Sequence, residues 1–239
     1  MPELILAPIH RVRPCIQILD SGTADGIWLT NISTELDKPP SCTGADISPH
    51  LFPPHPSENI QYIAQSIKND WSEDLVGKFD LVHRRLVLVC CNTHEANQAV
   101  MHLAHLTRPG GWVQSMECDH SGAFGTDATA KNPALVKFGQ LVMPQLATKG
   151  QCAQQGLHLK QYLKNAGHDN VIEMTYDIPV GKTAENREVG DVAAENLVHV
   201  AMKMQGSKEF VQQLSQELCT VGGTQRFHVV YGLKPVEKI

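Results

Sequence analysis

Within Asp20-Ser21-Gly22-Thr23-Ala24-Asp25-Gly26 the chain groups the residue types that hold a charged, polar cofactor. A ligand approaches the backbone only where side chains are absent, and the start of a helix offers free N–H donors. Gly22 and Gly26 give that clearance, while Thr23 and Asp25 offer side-chain contacts. A loop that seats a pyrophosphate requires Gly-x-Gly-x-x-Gly. Here Ala24 takes the middle place and the final spacing differs, so a dinucleotide is not expected. Alone, the pattern also describes an ordinary tight turn. Asp46 adds a second feature, because a carboxylate at the end of the next strand accepts hydrogen bonds from both hydroxyls of a ribose. An acid before Ser48-Pro49 also serves as a cap. Turn and acid together point to an adenosine-type ligand.

Proton transfer near neutral pH calls for histidine. His83 and His120 both follow strand ends, on the side where open α/β sheets bind ligands, and Glu117 and Asp119 lie beside the latter. They are the two candidate catalytic residues in a chain with twelve histidines, most of which are expected to be structural or solvent-exposed. His102-x-x-His105 puts two imidazoles on nearly one helix face with His94 close by, but no third ligand at fixed spacing accompanies them. No metal is expected.

These residues need strands and helices to position them. Apolar runs at 16–20, 42–47, 60–64, 79–83, 112–117, 171–176 and 225–231 read as strands. The Gly-rich turn leads into a first helix at Ile27, and the Pro-rich loop at 49–56 interrupts the alternation. Residues 86–106 read as a helix packed on a sheet. Residues 132–166 are helical and stop at Gly167, and 188–219 form one or two helices broken near Gly206. Alternation of this kind predicts a mostly parallel sheet with helices on both faces and one antiparallel edge.

A net charge of −5 with no basic stripe argues against gripping nucleic acid. No apolar stretch approaches the roughly twenty residues of a membrane span, and Met1–Pro14 does not read as a signal peptide. The seven cysteines are an odd number with scattered spacing, as expected of reduced thiols in a cytoplasmic protein.

The blocks Ile18–Leu29, Gly44–Pro49, Gly77–Arg85 and Arg108–Glu117, in this order, resemble the motifs of class I S-adenosylmethionine-dependent methyltransferases. They are most similar to the fungal secondary-metabolism, LaeA-like group, convincingly over about residues 5–120. The resemblance implies a seven-stranded, mostly parallel Rossmann-like sheet with a helical insertion before the last strand, in a single domain over 1–239. Residues 1–120 would form its cofactor-binding half and 121–239 its substrate or lid half.

The resemblance also implies site roles. Asp20, Gly22, Thr23, Asp25 and Gly26 would cradle the methionine portion of S-adenosyl-L-methionine, and Asp46 the ribose, with Ile47 and Ile67 alongside. Many relatives hold the adenine amino group with an Asp after the third strand. The matching position here is near Ser66, which leaves adenine to that hydroxyl and to backbone. The loop His83-Arg84-Arg85 would border the sulfonium and the substrate.

The leading expectation is methyl transfer to a small-molecule acceptor, on oxygen, nitrogen or carbon. A methyltransferase-like regulator or scaffold of secondary metabolism, nuclear and bound to a protein partner, is the alternative, favoured by Ala24, Ser66 and the short segment before the first strand. A third reading is an enzyme of this fold that rearranges its substrate without methylating it. Cover for the cleft is expected from residues 121–165 and 182–222, the latter serving as a lid or as a homodimer contact.

Overall fold

The computed structural model describes residues 3–11, 13–122, 124 and 127–236. Seven strands form one sheet: β1 (Gln17–Ser21), β2 (Ser41–Asp46), β3 (Ile60–Ala64), β4 (Phe79–Arg85), β5 (Thr107–Asp119), β6 (Asp169–Val180) and β7 (Gly223–Leu233). Their order is β3-β2-β1-β4-β5-β7-β6. From β3 to β5 neighbouring strands are parallel, and the antiparallel element lies at the other end. The expected seven-stranded, mostly parallel sheet is therefore present. After β1 the chain builds outward through β2 and β3, then returns to pair β4 against the other side of β1. That reversal opens a crevice at the carboxyl ends of β1 and β4, where such sheets bind ligands.

The chain divides into two compact units. The first comprises residues 1–117, 158–174 and 229–239, and the second residues 118–157 and 175–228. The first unit thus joins α5 (Leu159–Asn165) and parts of β6 and β7 to β1 to β4.

In the first unit both faces of the sheet are apolar, since successive strand residues point oppositely. Ile18 and Leu81 pack with Trp28, Leu29 and Ile32 of helix α1 (Ile27–Glu35). Leu19 and Val82 pack on the opposite side with Val100 and Leu103 of α2 (Thr93–Leu106) and Leu159 and Leu163 of α5. A parallel strand covered on both faces carries adjacent apolar residues, as Ile18-Leu19 of β1 and Leu81-Val82 of β4 do.

Two expectations are corrected here. The helix expected over 86–106 begins only at Thr93. Asn92 accepts from the Glu95 amide at 2.9 Å and the Glu95 carboxylate accepts from the Asn92 amide at 2.9 Å. This capping box fixes the helix start, while Leu86 adopts a left-handed φ of 57° and Leu88–Cys90 form a single 3-10 turn. His83-Arg84-Arg85 is not a loop either, because β4 runs through all three residues.

In the second unit, α3 (Ala128–Lys131) and α4 (Pro133–Thr148) precede α6 (Arg187–Lys203) and α7 (Lys208–Thr220), with the break between the last two at Gly206. Glu217 of α7 accepts from the amides of Ala134 and Leu135 at 2.8 and 2.9 Å, satisfying free donors at the start of α4. Asn186 caps α6 and Ser207 caps α7. No described helix is long and apolar enough to cross a membrane.

Candidate functional site

A cavity of about 620 Å³ opens at the carboxyl ends of β1 to β4, within the first unit. Four strand ends deliver its lining: Asp20 from β1, Asp46 from β2, Gln65 to Lys68 after β3, and His83 and Arg85 from β4. Leu86, Val87, Val89 and Cys90 of the capped turn close another side.

The turn after β1 is built on left-handed backbone at three places: Gly22 with φ 80°, Ala24 with φ 49° and Gly26 with φ 73°. It is tied to β2, whose Ala45 carbonyl accepts from the amides of Gly22 (2.7 Å) and Thr23 (3.0 Å). A Cβ at Gly22 would collide with the Val87 side chain, and one at Gly26 with the Tyr62 ring. The glycines thus admit protein side chains that shape the cavity from behind. Gly26 caps α1 and does not line the cavity.

The two strand-end acids are held differently. Asp46 accepts from the Ala24 amide at 3.0 Å through one oxygen and from the Ser48 amide at 2.9 Å through the other. Asp20 accepts at 2.8 Å from His83 Nδ1, and the His83 ring stacks on Trp28, with centroids 3.6 Å apart and planes 6° from parallel. All three side chains are buried. Burial pushes the His83 pKa down against the opposing pull of Asp20. A neutral imidazole beside a carboxylate places its proton on Nδ1, so His83 donates to Asp20.

Other expected residues fall as follows. Thr23, Asp25, Ile47, Ser66 and Ile67 line the cavity. Ile47 is 72% exposed, an apolar side chain at the open edge beside Asp46. The Ser66 hydroxyl accepts from the Lys68 amide at 3.3 Å. Arg84 does not line the cavity. It is fully buried, and its Nη1 donates to Glu117 Oε1 at 2.6 Å. Glu117 also accepts from the Val87 and Leu88 amides at 2.9 and 2.7 Å, so this pair pins the turn that closes the cavity. Strand alternation explains the placement, since His83 and Arg85 face one way and Arg84 the other.

His120 belongs to the second unit and is not among the cavity-lining residues. Its amide donates to the Ala153 carbonyl at 3.2 Å, and burial lowers its pKa. Asp119 accepts from the Ser121 amide at 2.9 Å. Sequence reasoning missed Trp28, Tyr62, Lys68 and the segment Leu86–Cys90. For the last, the Asn92-x-x-Glu95 start signal was available.

Among the described residues that line this cavity, one buried polar atom has no partner: Thr23 Oγ1. A buried hydroxyl left unpaired costs about 1–3 kcal/mol, and a polar ligand seated on the turn would satisfy it. Two carboxylates for hydroxyl or ammonium donors, an apolar edge and this hydroxyl suit an adenosyl amino acid.

Residues 1–173 match the family described as a methyltransferase domain. The chain is 35% identical over 248 residues to the N-methyltransferase sirN of Leptosphaeria maculans, covering 98% of this chain and 86% of that one. It is 32% identical over 253 residues to the N-methyltransferase gliN of Aspergillus fumigatus, covering 98% and 88%. In fold it is similar to the YcgJ protein of Bacillus subtilis, with a TM-score of 0.56, 10% identity and 94% of each chain covered. The chain belongs to the methyltransferase-domain family, enzymes that draw the methyl group from S-adenosylmethionine.

Proposed function

We propose that this enzyme methylates a nitrogen of a small secondary metabolite, with the cofactor seated in the cavity at the ends of β1 to β4. The relatives named above support nitrogen, both being called N-methyltransferases. The observation that carries the seat is the buried, unpartnered Thr23 Oγ1 in a cavity that two strand-end acids also line. Bound there, S-adenosylmethionine supplies an electrophilic methyl on a sulfonium.

Asp46, oriented by two amides, accepts from the ribose hydroxyls. Asp20 meets the methionine ammonium with its position fixed by His83, and Thr23 bonds the polar end of the amino acid. Ile47 and Ile67 flank the adenine, near Ser66. Methyl transfer is in-line displacement, so alignment carries much of the acceleration. His83 is buried, kept neutral and committed to Asp20, which makes it a poor acceptor for a substrate proton. An acceptor with its own nitrogen lone pair fits such a site better than a hydroxyl that must first be deprotonated. His120 stays a candidate base, to be read by mutation. Seven cysteines that form no disulfide among the described residues support a reducing, cytoplasmic setting.

Calorimetric titration with S-adenosylmethionine and S-adenosylhomocysteine tests the seat. Asp46→Ala should weaken both by about 10–100-fold, the worth of hydrogen bonds to a charged group. Unchanged affinity in Asp46→Ala would remove the ribose assignment. Mass spectrometry of candidate amines reads the activity: gain of one methyl supports it, and an isomer of unchanged mass overturns it.

A further inference from the structure

Cys90 and Cys91 end the turn that closes the cavity on the β4 side. Cys90 is half-buried and lines the cavity, whereas Cys91 is buried in the core behind it. Their Sγ atoms are 3.8 Å apart, within reach of an S–H···S hydrogen bond. Lys68 lines the same cavity, its ammonium paired at 3.1 Å with Glu95. A second carboxylate, Glu117, acts on Cys90 and is already engaged by Arg84 and two amides.

Two thiols in contact do not ionise alike: one becomes the thiolate and the other donates to it. The Cys91 S–H is the chief cause that draws the Cys90 pKa down to about 7, opposed by burial and Glu117 and helped by Lys68. Cys91 is pushed up, by its neighbour first and by burial second, with Glu95 adding to the rise. The thiolate is the reactive form, and here it belongs to a half-buried residue that lines a cavity.

We propose that the Cys90–Cys91 pair is a reversible modification site for small disulfides, and that a cap on Cys90 and the cofactor exclude each other. The exclusion rests on the cavity being the cofactor seat. In the reaction, Cys90 Sγ⁻ attacks one sulfur of the disulfide. A protein–reagent S–S bond forms, the reagent's own S–S bond breaks, and the departing thiolate takes a proton from water. The disulfide is the only co-reactant. Excess thiol reverses the step and frees the cavity. The enzyme is thus silenced under oxidising conditions when cofactor is scarce and shielded when it is abundant.

The test uses the full chain with Cys15→Ser and Cys219→Ser, which removes the two exposed thiols. Glutathione disulfide is added across a pH series, with and without S-adenosylhomocysteine, and adducts are mapped by mass spectrometry. One adduct at Cys90 is expected, its rate half-maximal near pH 7 as the Cys90 pKa dictates. Cys90→Ser should lose that adduct. Cys91→Ser should keep it but move the half-point toward about 8.5, the value of a free thiol. If Cys91→Ser does not fold, Lys68→Met should move it in the same direction. Saturating S-adenosylhomocysteine should slow capping about tenfold or more, and the capped protein should bind it correspondingly less until reduced. Labelling only at another cysteine, or a half-point unmoved in both variants, overturns the thiol site. Equal capping rates with and without a ligand that calorimetry shows to be bound overturn the exclusion. No ligand heat from uncapped protein overturns the cofactor reading and the exclusion with it, while the adduct still judges the thiol pair.

Discussion

Asp20 and Asp46 end adjacent parallel strands, line one cavity and carry the same charge, yet they are positioned by opposite means. Asp46 is oriented by backbone amides, from Ala24 and Ser48. Asp20 is oriented by a side chain, His83, which is itself clamped by Trp28. A backbone-held acid survives any substitution that preserves the turn. A side-chain-held acid depends on a buried stack, and its orientation, its stability contribution and its pH response can be altered by changing one neighbour.

The contrast is broken most forcefully at His83. His83→Ala leaves a carboxylate buried without its donor, so unfolding stability should fall by about 3–5 kcal/mol in chemical denaturation. Adding Asp20→Asn should recover part of this loss, with a coupling energy of about 0.5–3 kcal/mol. Strict additivity would show that the pair is not an energetic unit. Asp46→Asn should behave otherwise. Its stability cost should be about 1 kcal/mol, while affinity for S-adenosylhomocysteine falls by about tenfold or more. Stability loss comparable to that of His83→Ala would erase the distinction between the two acids.

Acid should test the His83-held arrangement. The folded-state pKa of His83 lies below its ordinary value because burial opposes the charged form. Above about pH 6.5 the imidazole is neutral in both states and contributes no pH dependence. Below that, the unfolded chain binds a proton that the folded chain refuses, so stability falls as pH falls, by at most about 1.4 kcal/mol per pH unit for each such group. His120 shares this direction, and His168 is lowered to about 4, chiefly by burial. Denaturation midpoints measured from about pH 7 to 5 should therefore slope downward. His83→Asn should flatten the slope by one group's share.

The acids and the turn were legible in the sequence because local rules govern them. An apolar run that ends in an acid and meets glycine marks a strand end, and strand ends are where this topology places its ligands. Gly22, Thr23 and Asp46 needed no knowledge of tertiary contacts, whereas Ser66 came only through the family resemblance. Trp28 against His83 and Tyr62 against Gly26 join residues from different elements, and no spacing rule announces them. Arg84 failed for another reason. Three consecutive polar residues read as a loop, but a strand covered on both faces accepts a buried arginine if a carboxylate such as Glu117 meets it. The helix start at Asn92 was legible through its capping box and was masked by the apolar run before it.

The smallest predicted effect bears on Ala24, the point where the two arrangements touch, since its amide holds Asp46. Ala24 has a φ of 49°, a left-handed conformation that costs a residue with a Cβ about 1–2 kcal/mol. Glycine there removes this strain but adds unfolded-state freedom worth about 0.4–1 kcal/mol. Ala24→Gly should therefore stabilise the chain by about 0.6–1 kcal/mol, the difference between those terms. The amide that donates to Asp46 is unaltered, so cofactor affinity should stay within about twofold. A larger affinity loss would mean that the Cβ, and not only the backbone, takes part in holding the ligand. A stability loss would mean that the turn uses the stiffness of alanine to keep Asp46 aimed, making the backbone-held acid as dependent on one side chain as Asp20 is on His83.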